Sequence, residues 1–212
     1  MRGSAATALG RLGDARAVDG LMAVLSDDDD HMNRGAAATA LGRLGDAGGV
    51  DTLVTALSDE VSDVRGSAAT ALGRLGDARA VDGLMAALSD GANNVRGSAA
   101  TALGRLGDAR AVEGLVGLLT DEDAMTRRTA NRIVHRLLDA AFEDGDVEHA
   151  SQVTATVRRA GSGFSRQLAP FEHALSYLQT GEESMLDRLA PEMRDAVELL
   201  LSRFSADGRR AA

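Results

Sequence analysis

Over the first 120 positions, apolar residues recur at helical spacing in short bursts, and each burst stops at a glycine or a short polar run. Between Val64 and Leu75, the residues Ala68, Leu72 and Leu75 fall on one helical face. A second burst places Val81, Leu84, Met85 and Leu88 at i, i+3, i+4 and i+7. Gly76 lies between the bursts and suits a helix C-terminus, because it can take positive φ without a Cβ clash. Asp77 follows as an N-cap for the second helix. Ser89-Asp90 and the polar run Gly91-Ala92-Asn93-Asn94 then lead into another helix. The pattern predicts a two-helix unit, helix A followed by helix B. Neither helix can bury its stripe alone, so the units must stack.

Laid on itself, the chain shows how often the unit recurs. Arg2–Ala23 reads RGSAATALGRLGDARAVDGLMA, and Arg65–Ala86 is identical to it. Arg96–Val112 repeats the first 17 of those residues, and Arg34–Val50 is a looser copy, RGAAATALGRLGDAGGV. The arginines at 2, 34, 65, 96 and 127 step by 32, 31, 31 and 31, with a degenerate copy from Arg127. The phrase V-R-x-x-A-A-x-A-L-G-x-L-G-D-x-R-A-V-x-x-L-x-x-A-L, at this period, resembles the HEAT-like repeats of the phycobilisome-lyase type. The resemblance covers residues 1–120 closely and fades towards 160. It implies an all-α fold, an α-α superhelix (HEAT-like solenoid). It also implies a ladder along the spine, built from the arginine that opens helix A and the aspartate at the Asp77 position. That repeat type occurs in bilin lyases, in an iron-dependent protein hydroxylase and in many scaffolds. Where such repeats usually carry proline early in helix B, this chain has Gly20, Thr52, Gly83 and Gly114.

After residue 120 the texture changes. All five aromatic residues, Phe142, Phe164, Phe171, Tyr177 and Phe204, lie beyond 140, as do both prolines, Pro170 and Pro191. The spacing predicts helices near 123–141, 146–160, 165–180 and 182–205, broken at Gly145, Gly161-Ser162-Gly163 and Gly181, with Pro191 opening a helical turn. The expected organisation is therefore residues 1–122 as four repeats, and 123–212 as a degenerate repeat plus a non-repeat helical unit that caps the solenoid. At the other end Met1 stands where Val64 and Val95 stand, without capping residues such as Asn93 and Asn94. Either that end pairs with something, self-association included, or further residues precede it.

Composition narrows the function. Cysteine is absent, so disulfides and thiolate metal sites are excluded. No apolar run approaches the roughly 18 residues of a membrane span, and no signal peptide opens the chain; a soluble, cytoplasmic protein is expected. There are 32 acidic residues against 23 basic ones, every basic residue is arginine, and the net charge is -9. This balance argues against general nucleic-acid binding, which needs clustered positive charge. A lysine-free, acidic, aromatic-poor chain looks like a halophile's protein; an acidic protein from a GC-rich mesophile is the alternative. Excess surface carboxylates repel one another unless salt screens them. Helicity and melting temperature are therefore expected to fall from molar KCl to dilute buffer, as circular dichroism would read; an unchanged melt would remove the halophile argument.

Candidate sites follow from the same pattern. The exposed face of helix B, expected to line the concave side, presents Arg16, Arg79 and Arg110 with Gly48 in the second unit. Three residues on come Asp19, Asp51, Asp82 and Glu113, where arginine and acid can pair at i, i+3. Thr52 and Thr55 mark the second unit, and the small residues at these positions leave a shallow floor for a helix or an extended segment. The stripe Arg128, Arg132 and Arg136, at i, i+4, i+8, puts three guanidinium groups on one helix face, suited to carboxylate or phosphate; the bland reading is internal pairing. Asp27-Asp28-Asp29-Asp30-His31 reads as a solvated loop, since its spacing matches no calcium loop.

Catalysis finds no foothold. His31, His135, His149 and His173 form no repeated His-Glu pair, so iron hydroxylase chemistry does not carry over, and L-G-R-L-G is a helix-end phrase rather than a phosphate loop. The expected function is a protein-interaction scaffold or adaptor without catalysis, cofactor or metal, whose partner is another protein. A lyase-like accessory subunit of an enzyme is the alternative. A phosphate- or nucleic-acid-binding module comes third, because such solenoids depend on a basic groove.

Overall fold

The structure is a computed structural model that describes residues 2–108, 110–143, 147–159, 165–182 and 184–207. Among them there are helices and turns and no strand, so the fold is all-α. The chain divides into two compact units, Met1–Ile133 and Val134–Ala212.

The first unit holds the repeats. Its A helices are α1 (Arg2–Leu12), α3 (His31–Leu44), α5 (Ser62–Leu75) and α7 (Asn93–Leu106). Its B helices are α2 (Val18–Asp27), α4 (Val50–Ala56), α6 (Val81–Ala87) and α8 (Ala111–Gly117); α9 (Ala124–Glu143) begins in the same unit. Successive A helices pack side by side, α1 on α3, α3 on α5 and α5 on α7, and α2, α4 and α6 each pack on the A helix that follows. Gly45, Gly76 and Gly107 end their A helices at φ 74°, 70° and 69°, each donating its N–H to the carbonyl of the leucine four residues back. Asp46 and Asp77 then cap a single 3-10 turn by accepting from the backbone N–H two residues on, and the B helix starts only after that turn.

The buried face of helix A is wider than one helical stripe. In α5 it comprises Val64, Gly66, Ala68, Ala69, Ala71, Leu72 and Gly73, because α5 lies against an A helix on each side and against α4 as well. Leu75 and Met85, at the rim of the apolar pattern, are half-buried; Val81, Leu84 and Leu88 are buried.

Glycine inside helix A has a packing reason. A Cβ placed on Gly73 would lie 2.6 Å from Ala102 Cα and 2.7 Å from its Cβ; Gly42 meets Ala71 in the same way, and Gly10 meets Ala40 at 2.8 Å. Backbone and alanine methyl face the glycine there, and neither has a rotamer with which to yield. Alanine normally stabilises a helix interior relative to glycine, by about 1 kcal/mol. Gly73→Ala is nevertheless expected to destabilise, by roughly 1–3 kcal/mol of overpacking. Gly20→Ala, in the interior of α2 with nothing within 4 Å of the added carbon, should follow the ordinary propensity and stabilise. Urea titration of the two variants measures both signs; stabilisation by Gly73→Ala would disprove the close approach.

The second unit contains the rest of α9, then α10 (Val147–Arg159), α11 (Ser165–Thr180), α12 (Ser184–Asp187) and α13 (Pro191–Asp207). α10 packs on α11, and α11 on α13. Val153, Val157, Phe171, Ala174, Leu175, Val197 and Leu200 are buried, and the His135 ring lies 6.2 Å from that of Phe171. Gly181 at φ 68° ends α11, its N–H bonded to the Tyr177 carbonyl. The helix expected over 182–205 is two helices: Pro191 opens α13, where its missing N–H and fixed φ fit the first turn. The expected breaks at Gly145 and Gly161–Gly163 lie outside the described residues.

Candidate interaction surfaces

Three rows of arginine recur with the repeat through the first unit, the second of them interrupted at Gly48, and they differ in what they touch. The spine row is Arg34, Arg65 and Arg96. Arg65 donates from Nε and Nη2 to the Asp90 carboxylate at 2.7 and 2.8 Å, and from Nη1 to the carbonyls of Asp59 and Glu60. Arg34 does the same with Asp59 and the carbonyls of Asp28 and Asp29. Arg96 repeats it with Asp121 and the carbonyls of Asp90 and Gly91. Each guanidinium thus clamps the linker ahead of its helix to the linker behind its repeat. Asp59 and Asp90 each serve two arginines, one through the carboxylate and one through the main-chain carbonyl, and the Asp121 carbonyl receives Arg127. The acid of the ladder is therefore the linker aspartate, not the Asp77 type expected from the sequence. Asp77 sits one helix too early and pairs locally with Arg79.

These linker carboxylates are held charged. Burial pushes Asp59 up, but the forked bond from Arg34, the Val61 N–H and the charges of Arg34 and Arg65 outweigh it and leave it below the ordinary aspartate value. Arg65 lowers Asp90 against burial, helped by the Ala92 N–H. Arg96 lowers Asp121 against burial, helped by the Asp123 N–H. A carboxylate with a depressed folded pKa binds fewer protons folded than unfolded. Its stabilisation is complete above the unfolded value, near 3.9, and is lost as pH falls through the folded value. The melting temperature should accordingly vary little between about pH 7 and pH 5 and fall steeply below about pH 4. Asp121→Asn should lower the plateau and flatten that fall. An acid limb of unchanged steepness in this variant would show that other carboxylates govern it.

The second row lies on the B helices. Arg79 donates to Asp77 and reaches Asp51 of the preceding repeat at 3.1 Å; Arg110 donates to Asp108 and reaches Asp82 at 3.1 Å. The pairing expected at i, i+3 within one helix is thus replaced by pairing between repeats, because the guanidinium extends back across the stack. Arg16 pairs with Asp14. With Gly48 in place of an arginine, Asp19 has no cross-repeat partner among the described residues. Arg79 and Arg110 keep about half of their side-chain surface exposed, 52% and 58%. The expected floor of small residues is partly filled: a Cβ on Gly83 would lie 3.0 Å from Leu57 Cδ1, and one on Gly114 2.5 Å from Leu88 Cδ1. Thr52 is half-buried, and Thr55 is exposed with its hydroxyl donating to the Asp51 carbonyl.

The third row was not singled out in the sequence. Arg11, Arg43, Arg74 and Arg105, from the recurring L-G-R-L-G, are exposed on the A helices and make no ion pair or side-chain hydrogen bond among the described residues. The signal for it in the sequence is the period alone, because the arginine stands inside a phrase that also marks the end of helix A.

Of the arginines on α9, Arg128 and Arg132 belong to the first unit, are exposed and have no partner among the described residues; Arg136 belongs to the second, is exposed and has one. The acidic loop is only partly solvated. Asp28 is buried, bonded to Arg2 and Asn33, and takes the ladder position of the first repeat; Asp30 caps α3. Among the described residues no group of three or more His, Cys, Asp or Glu could hold a metal ion, and no helix is long and apolar enough to cross a membrane.

A, B and linker recurring with one set of clamps define a helical-repeat solenoid. Three overlapping stretches, residues 1–69, 18–96 and 50–134, match the family of HEAT repeats, and the chain belongs to that family. No curated protein matches it. Among solved structures it is similar to the complex of CpcE and CpcF of phycocyanin lyase from Nostoc sp. PCC7120, at 22% identity and TM-score 0.58, over 97% of this chain and 88% of that one. It is also similar to the archaeal HEAT-like repeats protein from Thermococcus onnurineus NA1, at 19% identity and TM-score 0.53, over 96% and 92%. A designed armadillo repeat protein in complex with the peptide (KR)4 matches at 19% identity and TM-score 0.53, over 95% and 92%. These likenesses are of fold.

Proposed function

We propose that the chain is a protein-binding scaffold that holds its partner on the outward side chains of its helices. One observation carries this reading. The repeat unit divides its arginines into a spine set consumed by the clamps and outward sets at the same period, Arg16, Arg79 and Arg110 on the B helices among them. Periodic, exposed groups fixed by local pairs suit an extended partner better than a small substrate. Thr52 and Thr55 give the second repeat its own surface, and Arg128 and Arg132 add cations at the end of the first unit. The likeness to the phycocyanin lyase structure favours the second reading, an accessory subunit of a lyase-type enzyme.

The test is affinity capture from the native host at native salt, with the captured proteins carried into titrations against Arg79→Glu/Arg110→Glu and Arg128→Glu/Arg132→Glu. One protein that binds the wild type and is lost from a folded variant supports the scaffold. Recovery of a pigment or metal without any protein partner overturns it and favours the lyase-like reading.

A further inference from the structure

We infer that the A-helix face carrying Arg11, Arg43, Arg74 and Arg105 is a docking surface for an extended acidic peptide; this rests on the scaffold reading and adds a second face to it. The spine and B-helix arginines have carboxylate partners within the chain, whereas this row has none among the described residues. In a chain of net charge -9, four cations at one period that make no ion pair among the described residues are charge-complementary to carboxylates from outside.

The ground beside the row suits a peptide main chain. A groove of about 340 Å³ is lined by Thr7, Thr39, Arg43, Asp63 and Ser67, and another of about 440 Å³ by Thr70, Ser98, Thr101 and Asp123; Asp63 accepts from Asn94 and Asp123 from Thr126, so both carboxylates are engaged beside the row. The hydroxyls of Thr7, Thr39, Thr70 and Thr101 each donate to the carbonyl four residues back, which leaves their oxygens facing out as acceptors for peptide N–H groups. The hydroxyls of Ser67 and Ser98, with no partner among the described residues, can donate to peptide carbonyls.

Spacing sets the ligand. Packed helices lie about 8–10 Å apart, and an extended chain advances about 3.3 Å per residue. One carboxylate every third residue therefore meets one arginine per repeat, in the geometry that arginine and carboxylate favour. Single-stranded nucleic acid is the weaker fit, because its recognition relies on aromatic stacking platforms, and no aromatic residue occurs before Phe142.

Fluorescence anisotropy with a labelled (Glu-Gly-Ser)5 peptide tests the assignment at the lowest salt at which the wild type keeps its full helicity by circular dichroism. The wild type should bind it, and should bind a peptide with its five glutamates bunched at one end less tightly. Arg43→Gln/Arg74→Gln/Arg105→Gln should weaken binding more than about tenfold, equivalent to about 1.4 kcal/mol, with helicity retained because all three side chains are exposed and no new carboxylate is added. Arg159→Gln/Arg188→Gln, at exposed positions of the second unit, should change it less than about twofold, a few tenths of a kcal/mol. No binding by the wild type, or equal loss in both variants, overturns the surface. Tighter binding of an oligothymidylate, lost in the triple variant, overturns the peptide and assigns the row to phosphate. If the native partner captured above is retained while the peptide fails, this inference falls and the scaffold stands; loss of both removes the scaffold too.

Discussion

Replacing Arg96 by alanine will destabilise the first unit by about 3 kcal/mol, the lower part of the range for breaking a buried ion pair. The Arg96 and Asp121 side chains are 9% and 7% exposed, and their forked bonds measure 2.7 and 2.9 Å. Alanine leaves the largely buried Asp121 carboxylate with the Asp123 N–H and the nearby charge of Arg127 in place of its forked partner, and strips the Asp90 and Gly91 carbonyls of their donor. The cost comes mostly from these orphaned acceptors rather than from the attraction lost. Arg96→Lys keeps the charge but cannot span carboxylate and carbonyls together, and should recover less than half of the loss. Urea denaturation followed by circular dichroism at neutral pH reads both variants. If Arg96→Lys matched the wild type, charge alone would explain the residue and the fork would be incidental.

Leu72→Ala should cost about as much, roughly 2–5 kcal/mol, through lost transfer energy and the cavity left behind. Leu72 has 0% exposure, on a helix packed against both neighbouring A helices. Partial collapse into that cavity is restricted, because the flanking A helices already touch through glycine and alanine. Arg79→Ala should cost far less, since its pairs with Asp77 and Asp51 are open to water. Denaturation midpoints of the two variants decide the ranking, and a reversed order would mean that the B-helix row, not the apolar stripe, holds the stack together.

The period of 31, the division into A and B helices and the glycine C-caps were legible, because each depends on residues close in sequence; Asp77 was readable as a cap, but not that it caps a 3-10 turn ahead of helix B. Leu72, Leu84 and Leu88 were readable as core for the same reason. The partner of Arg65 was not. Asp90 stands 25 residues away in a linker, and sequence distance carries no information about which of two recurring aspartates a folded stack brings near. Nor was the reason for Gly73 visible: a helix-interior glycine reads as a weakness until the facing Ala102 is seen. The fate of Gly83 and Gly114 was likewise hidden, since their space is taken by leucines from the repeat before. In the second unit, helix positions were readable from Gly181 and Pro191, while the contacts of Phe171 depended on tertiary placement.

The backbone contacts of Gly10, Gly42 and Gly73 with the next A helix have a mechanical consequence. Where two helices meet through hydrogen and methyl alone, no rotamer can change to absorb a displacement. Beside the B helices, the side chains of Leu57 and Leu88 intervene and can readjust. Under load, each repeat of the first unit should therefore rock about its A-helix edge, which acts as an almost inextensible seam, while the B-helix edge stretches and compresses like a spring.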